Sequence, residues 1–216
     1  QSHKTGTQRL TRTPLLNAVG QQLGRLLLND GAHLEGLTAL WKEGGRDERL
    51  IVVSAIGQIS RQEPERAKQF VLEILDDIND WEVCDQLALR VIVNLAVKKR
   101  NETFSLLHRW LNSENPWHRR LAVATVPPYI RAKRQEFQIC LELLEAVMKD
   151  RDRSVKKATA WALRELTKKA PEAVFQFLHR WTLSGDSNTH GIVKEGMKKL
   201  PKEKQKSLLE HLKGHK

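Results

Sequence analysis

An all-α, HEAT-like repeat solenoid of stacked antiparallel helical hairpins with a basic concave face is the fold this sequence predicts, on three observations. Apolar residues recur at spacings of three and four, and β-branched clusters fall inside those helical patterns. Connections between the patterns are short, so neighbouring helices pair antiparallel. Similar segments also return about every 36 residues, a period that marks stacked helical units.

Taken in order, helices are expected over 14–29, 33–42, 48–60, 64–77, 83–98, 102–113, 116–132, 135–149, 154–169, 171–181 and 189–200. Pro14, Pro64, Pro116 and Pro171 sit at first helical positions, where the missing amide is not needed. Pro127-Pro128 should kink or end the 116–132 helix early, because proline clashes with the preceding turn. Residues 1–12 read as a polar, poorly ordered tail, and 13–216 as a single repeat domain.

The 37 Lys and Arg against 26 Asp and Glu give a formal charge of +11, which favours a polyanionic partner over an acidic small molecule. A basic surface without such a partner stays open. The longest apolar runs fall far short of the roughly 20 residues a membrane helix needs, and no cleavable signal pattern precedes them. A soluble, intracellular protein with no membrane contact is the expectation. Cys84 and Cys140 share no CxxC spacing and accompany no His pair at ligand spacing, so they read as core or groove-edge thiols. No metal site is expected.

Superimposing the repeats brings Arg49, Asp85, Arg120, Lys157 and Lys194 into register, at separations of 36, 35, 37 and 37 residues. Equivalent positions of stacked hairpins form a row, so these five side chains should line one concave ridge near the starts of the second helices. Four are cationic and suit a phosphate track, with helix N-termini adding amide donors. They could instead cap or pair within neighbouring hairpins. Arg119, Lys156, Arg153 and Lys98 lie beside the row and would thicken the positive stripe.

Asp85 breaks the pattern. Either it forms a salt bridge to Arg120 in the next repeat, or it acts on bound nucleic acid, its charge kept anionic by the surrounding cations. Trp81 precedes Asp85 by four residues, Trp117 precedes Arg120 by three and Trp161 follows Lys157 by four, so each indole lies about one helical turn from the ridge. Indoles beside phosphate-binding cations can pack on sugars and bases. Trp41, Trp110 and Trp181 fall on the preceding helices and read as hairpin core.

These residues resemble the AlkD-type DNA alkylation repair family, over most of the chain. The resemblance is carried by LWKEGGRDERLIVVSAIGQI from Leu40, WEVCD from Trp81, RWLNSENPWHRRLAV from Arg109 and KKATAWALREL from Lys156. It implies a HEAT-like DNA glycosylase that excises N3- or N7-alkylated purines from duplex DNA in base excision repair, without a base-flipping pocket. Carried over, Asp85 is the catalytic carboxylate, Trp81 and Trp161 flank the lesion, and Arg120 grips the backbone. Arg49, Trp117, Arg119, Lys156, Lys157 and Lys194 complete the expected DNA-binding set.

The family also has helices ahead of the one starting at Thr13-Pro14, one bearing an aromatic that reaches DNA. The sequence starts after them, and Tyr129 lies on another segment. A non-catalytic binder of branched or distorted DNA from the same superfamily is the alternative, and a HEAT-like protein scaffold the third reading. The remaining expectations are a monomer without metal or organic cofactor, working on damaged or distorted double-stranded DNA in the cytoplasm, nucleoid-associated in a prokaryote.

Overall fold

The computed structural model describes residues 12–29 and 34–214, among which every regular element is helical. The expected tail therefore lies, apart from Arg12, outside the described residues. In chain order the helices are α1 (Thr13–Asn29), α2 (Glu35–Glu43), α3 (Arg46–Gln62), α4 (Pro64–Ile74), α5 (Trp81–Leu87), α6 (Val93–Lys98) and α7 (Arg100–Leu111). They continue with α8 (Pro116–Ala124), α9 (Val126–Ala132), α10 (Phe137–Glu145), α11 (Arg153–Thr167), α12 (Pro171–Trp181), α13 (Ser187–Gly196) and α14 (Lys202–Gly214).

The chain is a solenoid of helical repeats. Second helices of successive hairpins form one layer, in which α3 packs on α5, α5 on α8, α8 on α11 and α11 on α13. First helices cover its other side: α2 meets α4, and α10 meets both α7 and α12. Each layer supplies an apolar face to a shared core that runs the length of the stack.

Three local features depart from plain helices. The two prolines act as expected: α8 ends at Ala124, α9 starts at Val126, and Thr125 turns its hydroxyl back to the Leu121 carbonyl at 2.9 Å. Between α5 and α6, residues Ala88–Ile92 form a π-helical turn, one turn beyond Asp85. Asn94 Nδ2 donates to the Arg90 carbonyl of that turn at 2.7 Å and to Ser60 Oγ at 2.9 Å. Finally, α14 has no counterpart in the expected helices. Its composition is lysine-rich, and only Leu208 and Leu212, one turn apart, bury themselves in the core.

α1 lies along α3 so closely that two glycines are required. A Cβ on Gly20 would stand 2.2 Å from the Ile51 carbonyl oxygen, and one on Gly24 would stand 2.5 Å from that of Ala55. Asn17 Oδ1 accepts from Ser54 Oγ at 2.6 Å in the same interface. Gly24→Val is therefore expected to lower stability by at least about 2 kcal/mol, since the clash is with backbone that cannot rotate away. Gly36→Ala, where a Cβ meets nothing within 4 Å, is the control. Urea denaturation checks the pair, and equal midpoints would refute the contact.

Candidate functional site

The second helices start alike. Asp80 accepts from the Glu82 and Val83 amides at 2.8 and 3.0 Å, and Asp152 accepts from the Ser154 and Val155 amides at the same two distances. Asn115 accepts from the Trp117 amide at 2.9 Å and Asp186 from the Thr189 amide at 3.0 Å. These caps fix where each helix begins and so where the ridge residue falls. They also correct one expectation. One or two of the amides foreseen as phosphate donors at each of these four helix starts are already occupied by the cap. Asp80, Asn115 and Asp152 each stand five residues ahead of a ridge member, a spacing visible in the sequence but not picked out there.

Along the ridge the five side chains have different posts. Lys157 and Lys194 are exposed and make no ion pair among the described residues, but Lys194 falls in the last turn of α13 and not near its start as expected, because α13 begins at Ser187. Asp85 and Arg120 form a two-pronged pair, with Nε to Oδ1 at 3.0 Å and one terminal nitrogen to Oδ2 at 2.8 Å. The other terminal nitrogen of Arg120 donates to the Ser154 carbonyl at 2.7 Å, so this guanidinium links three successive repeats. Both side chains are largely shielded, at 7% exposure for Arg120 and 18% for Asp85. Burial pushes the Asp85 carboxyl above its ordinary range, and the Arg120 fork pulls part of that back. Charge from surrounding cations is thus not the dominant influence on Asp85. Neighbouring Cys84 is buried and its thiol is pushed up by desolvation, which makes it an inert core group.

Arg49 is engaged with the end of α2 and the loop ahead of α5. It donates to the Trp41 and Asp77 carbonyls at 3.2 and 2.9 Å and to Asn79 Oδ1 at 3.1 Å, with its guanidinium 5.0 Å from the Trp41 ring centre. Trp41 donates its indole N–H to Asp77 at 3.2 Å, and His118 Nε2 lies 2.9 Å from Asp76. Together they clamp the loop leading into Trp81. Removing Arg49 loses hydrogen bonds from a charged donor, worth ~1.5–3 kcal/mol, so Arg49→Ala should speed amide hydrogen exchange over 76–80 by about tenfold or more. Exchange in α11 should not change. Unaltered protection of the loop would show that Arg49 holds nothing.

Arg119 is also committed elsewhere. It pairs with Asp150 at 2.6 and 3.2 Å and donates to the Ser113 and Glu114 carbonyls at 2.8 and 2.9 Å, which fastens the turn before α8. Lys156 donates to Asn188 at 2.8 Å, and Lys98 reaches the Arg61 carbonyl at the far end of its helix.

Two grooves open between the starts of the second helices. One, of about 610 Å³, is lined by Trp81, Pro116, Trp117, Arg120, Asp152, Arg153, Ser154 and Lys157. The other, of about 480 Å³, lies between α11 and α13 and carries Arg153, Lys156, Lys157 and Arg164. Trp81 is 58% exposed at the mouth of the first, an unusual cost for an indole beside cations. Trp117 lines the same groove while leaning on the core. Trp161 does not line it and packs against the core from α11. Trp41 and Trp110 are buried as expected, and Trp181 is partly buried with its indole N–H lacking an acceptor among the described residues.

The chain is thus a helical-repeat solenoid with a cationic, tryptophan-lined groove, one of whose lining residues, Arg120, pairs with the largely shielded Asp85. The chain belongs to the DNA alkylation repair enzyme family, whose description fits residues 10–200. Two solved structures share the fold. The smu.31 protein of Streptococcus mutans UA159 superimposes with a TM-score of 0.61 at 19% identity, over 88% of this chain and 99% of that one. The alkylpurine DNA glycosylase AlkC of Pseudomonas fluorescens, bound to DNA containing an abasic site analogue, superimposes at 0.54 with 14% identity, over 92% of this chain and 66% of that one. No curated protein matches the sequence.

Proposed function

We propose that the chain binds duplex DNA along the starts of its second helices and excises N3- or N7-alkylated purines there as a glycosylase. The observation that carries this reading is the placement of Trp81, solvent-exposed and clamped from behind, at a cationic groove lined by Arg120, whose guanidinium holds Asp85. Family membership and the DNA-bound AlkC fold support it. Lys157, Arg153 and Lys194 would hold phosphates, and the faces of Trp81 and Trp117 would meet the sugar and the cationic base.

In this reaction the C1′–N bond breaks with its electron pair on the purine, which leaves neutral because it began as a cation. The sugar carries the resulting oxocarbenium charge until water adds at C1′ and loses a proton. Asp85 would stabilise that charge. Arg120 takes one lone pair of each of the Asp85 oxygens, so the carboxylate keeps acceptor capacity towards a developing positive charge while the pair stays intact.

The same pair supports a second reading. With both oxygens engaged and Arg120 anchored to Ser154, Asp85 could simply hold repeats in register, leaving a binder of branched or distorted DNA without excision. Incubation with methylated duplex DNA, followed by chromatography of released bases, separates the two. Free 3- or 7-methylpurine supports the glycosylase. Tight, salt-sensitive junction binding without release supports the binder.

A further inference from the structure

Away from the two grooves, a cationic cluster lies where the π-helical turn meets α3. Gln86, Arg90, Asn94 and Lys98 recur every four residues and share the edge of the α5–α6 run that faces α3. Gly57 makes room there, since a Cβ on it would stand 3.1 Å from the Arg90 Cβ. Arg61, one turn beyond Gly57 on α3, accepts from Lys98 Nζ at its carbonyl. Arg90 Nε donates to Gln86 Oε1 at 2.8 Å, which orients the fork and leaves both terminal nitrogens accessible and without a partner among the described residues. No carboxylate pairs with Arg61, Arg90 or Lys98 among those residues, and Glu63 and Glu65, which follow Arg61, are taken by Arg66 and Lys68. Burial, and after it the charge of Arg61, lower the Arg90 guanidinium below its ordinary value. A half-buried cation with a second cation near it and no counter-ion is a standing cost, which a bound anion removes.

Resting on the DNA-binding reading above, we propose that Arg90, with Arg61 and Lys98, is a second phosphate site, which holds the strand opposite the one at the Trp81 groove. A guanidinium fork matches two phosphate oxygens, and Lys98 keeps two of its three donors. Arg90 follows Trp81 by nine residues, so at ~1.5 Å per residue it stands roughly 13 Å further along the same helical run. The two backbones of B-DNA border grooves about 6 and 12 Å wide, a spacing that lets cations so placed meet different strands. A duplex lying along the row of helix starts carries its second strand past Arg90, whereas a single strand fills only the row. The cluster therefore makes affinity depend on the double helix, while Arg153 and Lys157 serve either form.

Fluorescence anisotropy of the full chain with a labelled undamaged duplex, and with one of its strands alone, tests the site. Arg90→Gln should weaken duplex binding about fivefold or more and lower the salt slope of log K by about 0.9, as for one lost phosphate contact. Arg61→Glu, at an exposed position, gives Arg90 a carboxylate within the protein and should weaken duplex binding by about tenfold or more. Single-strand affinity should stay within about twofold in both variants, with unchanged circular dichroism. Inorganic phosphate exchanged for chloride at constant ionic strength should leave the ratio of wild-type to variant affinity unchanged. Lys202→Gln, at an exposed position on α14, should bind duplex as wild type. Wild-type duplex affinity in both arginine variants overturns the site and leaves the DNA-binding reading intact. Equal loss on duplex and single strand, equal loss in Lys202→Gln, or a ratio that collapses in phosphate, the mark of a free-anion site, overturns it too. Wild-type protein that binds neither form of DNA removes the underlying reading as well.

Discussion

Asp85→Asn is expected to reduce the excision of methylated purines by about 10²–10³-fold, the usual cost of deleting one electrostatic contact to a developing charge. Asparagine keeps the shape and one acceptor for Arg120 but cannot carry a negative charge. Affinity for undamaged duplex should stay within a few-fold, because Asp85 contributes no cation to the groove. The measurement is single-turnover release of 3- and 7-methylpurine, paired with fluorescence anisotropy on the same duplex. Equal release by variant and wild type removes Asp85 from the chemistry. If neither protein releases base while both bind junctions, the non-catalytic reading takes over.

Periodicity carried most of the fold. A recurrence near 36 residues places Arg49, Asp85, Arg120 and Lys157 near helix starts of one layer, whereas Lys194 falls in the last turn of α13; prolines at first helical positions mark the boundaries of α4, α8 and α12. The features that escaped lack a signal of that kind. A π-turn at Ala88–Ile92 depends on how Asn94 and Ser60 satisfy the Arg90 carbonyl, which is a tertiary fact. α14 escaped because two buried leucines in a lysine-rich stretch give too weak an amphipathic pattern.

At the site, residue type alone does not reveal which partners each side chain takes. Arg49 and Arg119 look like phosphate ligands by position and charge. Their guanidinium forks have nearby carbonyls and carboxylates to satisfy, and those partners come from turns whose course no repeat comparison describes. Trp161 shares its spacing with Trp81, yet α11 is covered by α13 and its indole settles on the core, whereas Trp81 opens its helix and stays exposed. The caps could have been found. An Asp or Asn five residues ahead of Asp85, Arg120 and Lys157 is a sequence pattern with a mechanical meaning, and it sets these three ridge members in register.

Arg120→Ala should be the most damaging single change to stability, costing about 3–5 kcal/mol, because it leaves a shielded carboxylate without its partner. Alanine also cuts the tie to Ser154, so the interfaces of α5, α8 and α11 loosen together. The pH dependence distinguishes this mechanism from simple loss of packing. Burial already holds the Asp85 carboxyl above the ordinary value near 4, and removing the fork, which opposes that effect, raises it further. A carboxyl raised in the folded state binds its proton more readily there than in the unfolded chain, so stability falls as pH rises through the folded value and recovers as pH falls below it. The midpoint difference between wild type and Arg120→Ala should therefore be largest at neutral pH and narrow on acidification towards pH ~4, other carboxylates cancelling in the difference. A gap that stays constant across that range would mean that the guanidinium contributes volume and not charge. The double variant Asp85→Asn with Arg120→Ala gives the complementary result, recovering part of the loss at neutral pH because no buried charge is left unpaired.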